Sequence, residues 1–202
     1  MQDSARFAKL CHEQGVANDT ASRAWIGLHT RYSEPHRHYH NLHHIAAMLA
    51  KMDEVAPGDP ATELAIWFHD VIYDPRARDN EEQSAAFFVA EMADSLDPVL
   101  CLDVVRLILA TDYARERTGA ADENLLRDID LAILASAPET YQSYSDAVRK
   151  EYAHVPDGDF RKGRAAVMSR FLDGRIFHTD AFANEELIAK GNIRNEIARL
   201  TD

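Results

Sequence analysis

The chain has 202 residues, of which 46% are apolar and 28% charged, the balance of a folded globular protein and not of a disordered or fibrous one. Its 22 basic and 34 acidic side chains leave a formal charge of −12. That charge repels a nucleic-acid backbone and argues against polymer binding, while a small anion held by a local cation stays compatible with it.

In chain order, "ARFAKLCHEQG" reads as a helix stopped by Gly15, and "NDTASRAWIGLHTRY" as a second helix opened by the capping residues Asn18 to Thr20. After Ser33-Glu34-Pro35, the segment from His38 to Val55 places Leu42, Ile45, Leu49 and Met52 on one stripe and closes at "APGDP". "ATELAIWFHDVIY" is apolar enough for a buried helix, and "DPRARDNEEQ" is a polar loop leading into "SAAFFVAEMADSL". Further helical patterns follow at "PVLCLDVVRLILAT", "ENLLRDIDLAILAS", "PETYQSYSDAVRKEY", "DFRKGRAAVMSRFLDG" and "NEELIAKGNIRNEIARL". No pair of alternating runs flanks a hairpin turn, and neither an internal repeat nor a low-complexity linker occurs. The expectation is an all-α single domain, residues 1–202, of roughly nine or ten helices.

Cys11 and Cys101 stand alone, outside any CxxC pair, and read as small reduced core residues. The lack of an apolar run of about 18 residues predicts no signal peptide or membrane span and a cytoplasmic address.

Five of the ten histidines fall between His36 and His44. His40 and His44, at helical i, i+4 spacing, would share a face at the edge of the Ile45 stripe, whereas His36, His38 and His43 read as solvated. His69-Asp70 sits inside the apolar run "AIWFHDVIY", where an ionised carboxylate is costly unless a charge meets it. A metal ion lying between the two side chains satisfies both; a packed histidine beside a helix-end aspartate is the simpler alternative. In "LLRDIDLAIL", Asp130 shares a face with Leu126, Ile133 and Leu134, and Asp128 has Leu125 and Leu131 three residues to either side. Periodicity favours Asp130 as the inward carboxylate without deciding firmly between them.

The ordered set His44, His69-Asp70, Asp130 resembles the H…HD…D ligand pattern of the HD superfamily of metal-dependent phosphohydrolases. "YHNLHH" resembles the Tyr-His-Asn-x-x-His motif of cyclic-nucleotide phosphodiesterases, which are relatives of that set. A nearer likeness is to a bacterial family of predicted HD phosphohydrolases without an assigned substrate. It is carried by "YSEPHRHYHN", "WFHDVIYDP", "DNEEQSA", "DIDLAIL" and the helix ending near "NEIARL", and spans nearly the whole chain.

The resemblance implies a helical bundle of the HD-domain type. Its metal ligands would be His44, His69, Asp70 and Asp130, holding one divalent ion (Mn, Fe, Co, Ni, Zn or Mg), with His40 as general acid. The expected reaction is hydrolysis of a phosphoester of a nucleotide or other small phosphorylated metabolite. A non-catalytic module sensing a phosphate ligand, and an iron-dependent oxygenase, are the alternatives. After "LILAT" the chain reads Asp112-Tyr113 where that group tends to have basic and histidine residues, which favours a mononuclear site, although Asp112 could itself be an oxygen ligand. Arg37, Arg76 and Arg78 are the candidate substrate-phosphate contacts. Glu81 or Glu82 could orient a water at the metal, and Tyr39 and Trp67 are candidate base-stacking rings, while Tyr141, Tyr144 and Tyr152 read as packing residues.

Overall fold

The computed structural model describes residues 2–201, and among them every regular element is helical, as the periodicity predicts. Ten α-helices run in chain order: α1 Gln2–Glu13, α2 Asn18–Tyr32, α3 Leu42–Val55, α4 Pro60–Phe68, α5 Asn80–Met92, α6 Pro98–Ala110, α7 Ala121–Asp130, α8 Pro138–Glu151, α9 Asp157–Leu172 and α10 Glu186–Thr201. Short 3₁₀ turns cover Ala93–Ser95, Leu131–Ala135 and Asp180–Phe182. The chain divides into two units, one ending at Thr118 and the other beginning at Gly119.

In the first unit α4 is the central element, packed on α3, α5 and α6. Its run Leu64 to Phe68 is wholly buried, because an apolar helix covered all round has no face left for water. Trp67 meets Phe7 and Trp25 edge-on at 5.7 and 5.8 Å, and Phe68 meets Phe88 edge-on at 5.1 Å. These offset aromatic contacts add to the area that the rings bury. α1 lies on α2, and Gly27 of α2 lets the ring of Phe87 approach so closely that a Cβ there would stand 2.9 Å from its Cζ.

In the second unit α10 packs on α9 and on the Leu131–Ala135 turn, around Leu126, Ile129, Leu134, Phe177, Phe182 and Ile193. A buried polar cluster lies beside this core. Glu196 accepts from Arg164 Nε at 2.9 Å and from Ser145 Oγ at 2.9 Å, and Tyr141 donates its hydroxyl proton to the same carboxylate. Tyr141 and Tyr144 thus have polar partners as well as the packing role read from their spacing.

One helix end agrees with the periodic reading and several differ. α1 ends before Gly15, whose φ of +76° suits the left-handed turn that closes a helix. Asn18 to Thr20 fall in the first turn of α2, whose cap residue is Ala17, without a side-chain bond. α3 begins at Leu42 and not at His38, because the Asn41 side chain accepts from His43 N at 2.9 Å and fixes the helix start there. α4 stops at Phe68 and does not run on through Tyr73, and α5 starts at Asn80, inside the expected loop. Among the described residues no helix is long and apolar enough to cross a membrane.

Candidate metal centre

His44 and the HD dipeptide reach one another because α3 and α4 pack together in the first unit. His44 lies in the first turn of α3, buried on the stripe that continues through Met48 and Met52. His69 is the C-cap of α4, in helical conformation, and Asp70 follows in the turn, so the dipeptide stands at the helix end and not in its interior. The two imidazoles meet edge to face at 5.5 Å. His69 Nε2 is 3.1 Å from Asp70 Oδ2 and His44 Nε2 is 3.8 Å from the same oxygen. The candidate ligand atoms of His44 and His69 lie within 4.8 Å of each other. A histidine and carboxylate group that could hold a metal ion is therefore present in the fold.

The protonation of His69 is constrained by its backbone neighbour. Its Nδ1 is 2.9 Å from the carbonyl oxygen of Ile66, which can only accept, so Nδ1 carries the proton. A neutral imidazole of that tautomer turns its Nε2 lone pair toward an ionised carboxylate oxygen, a repulsive arrangement. A shared proton or a cation between the two groups removes the repulsion. The C-terminus of α4 adds partial negative charge at the same place, which also favours a cation. Burial opposes ionisation of Asp70, but His69 foremost, then His40 and His44, hold its carboxyl far below the usual carboxylate range. Two imidazole nitrogens and a carboxylate oxygen form a donor set suited to a first-row divalent ion, so these residues fit the metal that the sequence implies.

The backbone around the dipeptide is pinned by side chains from elsewhere in the unit. Tyr32 donates its hydroxyl to Trp67 O at 3.0 Å. Ser84 Oγ accepts from Ile72 N at 3.1 Å and donates to Ile72 O at 3.3 Å. Arg37 donates from Nη1 to Asp70 O at 2.6 Å and from Nη2 to Val71 O at 2.9 Å. None of these roles follows from periodicity. Their only sequence signal is that Tyr32, Arg37 and Ser84 lie inside the blocks "YSEPHRHYHN" and "DNEEQSA".

His40 occupies the turn before α3, so it is not one helical turn from His44 as the spacing suggests. Its ring is nonetheless 6.0 Å from that of His44, and it stacks on Tyr73 at 4.1 Å and meets Tyr39 edge-on at 5.0 Å. His36, His38 and His43 are exposed. Arg37 is buried on backbone carbonyls, whereas Arg76 and Arg78 are exposed in the loop before α5. Trp67 is fully buried among Phe7 and Trp25, which leaves no face for a base, while Tyr39 is half-buried.

Glu81 and Glu82 stand in the first turn of α5. Glu82 pairs with Arg115, which also bonds Asp112 Oδ2 at 3.2 Å. Burial, and then the charges of Asp112, Asp70 and Glu82, push the Glu81 carboxyl upward against the effect of its own backbone N–H.

In the second unit the two candidate aspartates of α7 separate clearly. Asp128 is the fully buried one, the reverse of the order that periodicity favoured. Its carboxylate accepts from His178 N at 2.9 Å, from Thr179 N at 2.7 Å and from Thr179 Oγ1 at 2.7 Å. Asp128 therefore anchors the segment before the Asp180–Phe182 turn, while Asp130, the last residue of α7, is half-buried. No family model matches the chain, and no curated protein or solved structure matches it significantly.

Proposed function

We propose that the chain is a metal-dependent phosphohydrolase of the HD type, acting on a phosphoester of a nucleotide or other small phosphorylated metabolite. The observation that carries this reading is His69 Nε2 lying 3.1 Å from the Asp70 carboxylate, in the tautomer that requires a cation or proton between them. His44, His69 and Asp70 are the proposed ligands, and Asp130 is the fourth that the resemblance implies. Asp130 is preferred over Asp128 because the Asp128 carboxylate is already saturated by the backbone at His178 and Thr179.

A bound divalent ion, one of Mn, Fe, Co, Ni, Zn or Mg, would lower the pKa of a water and offset negative charge on the phosphoryl group. His40, held between Tyr39 and Tyr73 beside His44, is the proposed general acid that protonates the leaving oxygen. Arg76 and Arg78, exposed at the mouth of α5, are the proposed cations for the substrate phosphate. Glu81 or Glu82, in the first turn of α5, is the proposed carboxylate that orients a water at the metal.

Elemental analysis of the purified protein, followed by a screen of phosphomonoesters, nucleotides and cyclic phosphodiesters, tests the reading. His69→Ala and Asp70→Ala are expected to lose both metal and hydrolysis. His40→Ala keeps the metal and loses about 10²–10⁴-fold in rate. Unchanged metal content in the first two variants would overturn the ligand assignment, and tight binding of a phosphate compound without turnover would assign a sensor instead.

A further inference from the structure

Arg37 has a guanidinium with no exposed side-chain surface, an unusual place for the most persistently charged of the side chains. Four polar contacts account for it. Nε donates to Glu34 Oε2 at 3.0 Å, Nη1 to His40 O at 3.1 Å and to Asp70 O at 2.6 Å, and Nη2 to Val71 O at 2.9 Å. The guanidinium carbon also lies 5.2 Å from the centre of the Tyr32 ring and 5.6 Å from that of Tyr73. Tyr32 is the residue that bonds Trp67 O, and Tyr73 is the ring on which His40 stacks.

One planar group therefore joins two stretches of chain 33 residues apart: the loop that carries His40 and the turn that carries His69-Asp70. A fork of several N–H groups in one plane can satisfy three carbonyls and a carboxylate at once, which a lysine ammonium on a flexible stem cannot. The guanidinium shows no surface to a substrate phosphate, which could take these donors only by displacing the carbonyls of His40, Asp70 and Val71 from them.

We infer that Arg37 is the positioning residue of the site: it fixes the His40 loop in register with the His69-Asp70 turn, and it acts through their backbone without touching substrate. The inference rests on the metal-site reading above for its consequence in metal affinity, but its geometric part stands without metal.

Arg37→Lys and Glu34→Gln are the test variants, examined first as metal-free protein. In Arg37→Lys the ring ¹⁵N resonances of His40 and His69 shift while far-UV circular dichroism keeps its helical form. Glu34→Gln, which removes the carboxylate and leaves the guanidinium on its carbonyls, moves the same resonances by less. Titration with Zn²⁺ or Mn²⁺ then gives an affinity about 10–100-fold weaker in Arg37→Lys, the usual effect of removing a group that orients ligands. With any substrate found in the screen, kcat falls and KM is held.

Unmoved His40 and His69 resonances in Arg37→Lys, or a raised KM at constant kcat, overturn the inference and assign Arg37 to substrate instead. Should Arg37→Lys fail to fold, guanidinium N–H protons of wild-type Arg37 that exchange as fast as those of an exposed arginine overturn it equally. Wild-type protein that binds no divalent ion overturns the metal reading alone, since the ring resonances of the metal-free protein still decide the role of Arg37.

Discussion

Asp128 and Asp130 are two residues apart on the same short helix and do different work. The buried Asp128 carboxylate takes two backbone N–H groups and a hydroxyl from His178 and Thr179, and such charge-assisted bonds contribute more than neutral ones. Asp128→Asn turns an amide toward those donors and is expected to cost about 3 kcal/mol in urea unfolding at neutral pH, with two bonds to a charged group weakened. Asp130→Asn is expected to cost much less stability and to lower metal content. If the two variants destabilise equally, the division of labour between them is wrong. The same contrast separates the cysteines: burial pushes the Cys11 thiol up to about 11, and Cys101, only half-buried, is raised as well.

At the scale of elements, the end of α4 matters most. A helix leaves its last carbonyls without partners, and here His69 Nδ1, Tyr32 and the N–H of Val71 take up those of Ile66, Trp67 and Phe68. Arg37 and Ser84 do the same for the turn that follows. This is why the run "AIWFHDVIY" breaks after Phe68 although apolar residues flank the break on both sides. Ser84→Ala leaves the part-buried N–H and carbonyl of Ile72 without their hydroxyl and is expected to lower stability by about 1–2 kcal/mol. Because Ile72 is two residues from Asp70, the variant should also bind metal more weakly; a melting temperature and a metal titration check the two effects separately.

Across the whole molecule each unit keeps buried polar groups beside its apolar core. In the second unit burial opposes ionisation of Glu196, but Arg164, and then Tyr141 and Ser145, hold its carboxyl below the ordinary value of 4.5. A carboxylate whose folded pKa is depressed stabilises fully above its unfolded pKa and loses that contribution as pH falls. Wild-type stability should therefore decline from about pH 4.5 downward. Glu196→Gln should be less stable at pH 7 by about 2–3 kcal/mol, since it removes the carboxylate paired with a largely buried guanidinium, and should show a shallower decline over the acid window. Urea midpoints by circular dichroism between pH 7 and pH 3 distinguish this from a cluster that contributes nothing.

Periodicity alone determined the all-helical class, most helices and the burial of the "AIWF" run, because side chains a turn apart must share a face. Residue type and spacing also marked His44, His69-Asp70 and Asp130 as candidate ligands, and the structure brings His44 and His69 together. Only the tertiary structure decided where α3 begins and α4 ends, that Asp128 and not Asp130 is sealed in the core, and that Arg37 bonds backbone beside Asp70. Each of these depends on a hydrogen bond between partners many residues apart or outside the helix itself, and no local pattern of apolar and polar residues records which distant carbonyl a donor will find.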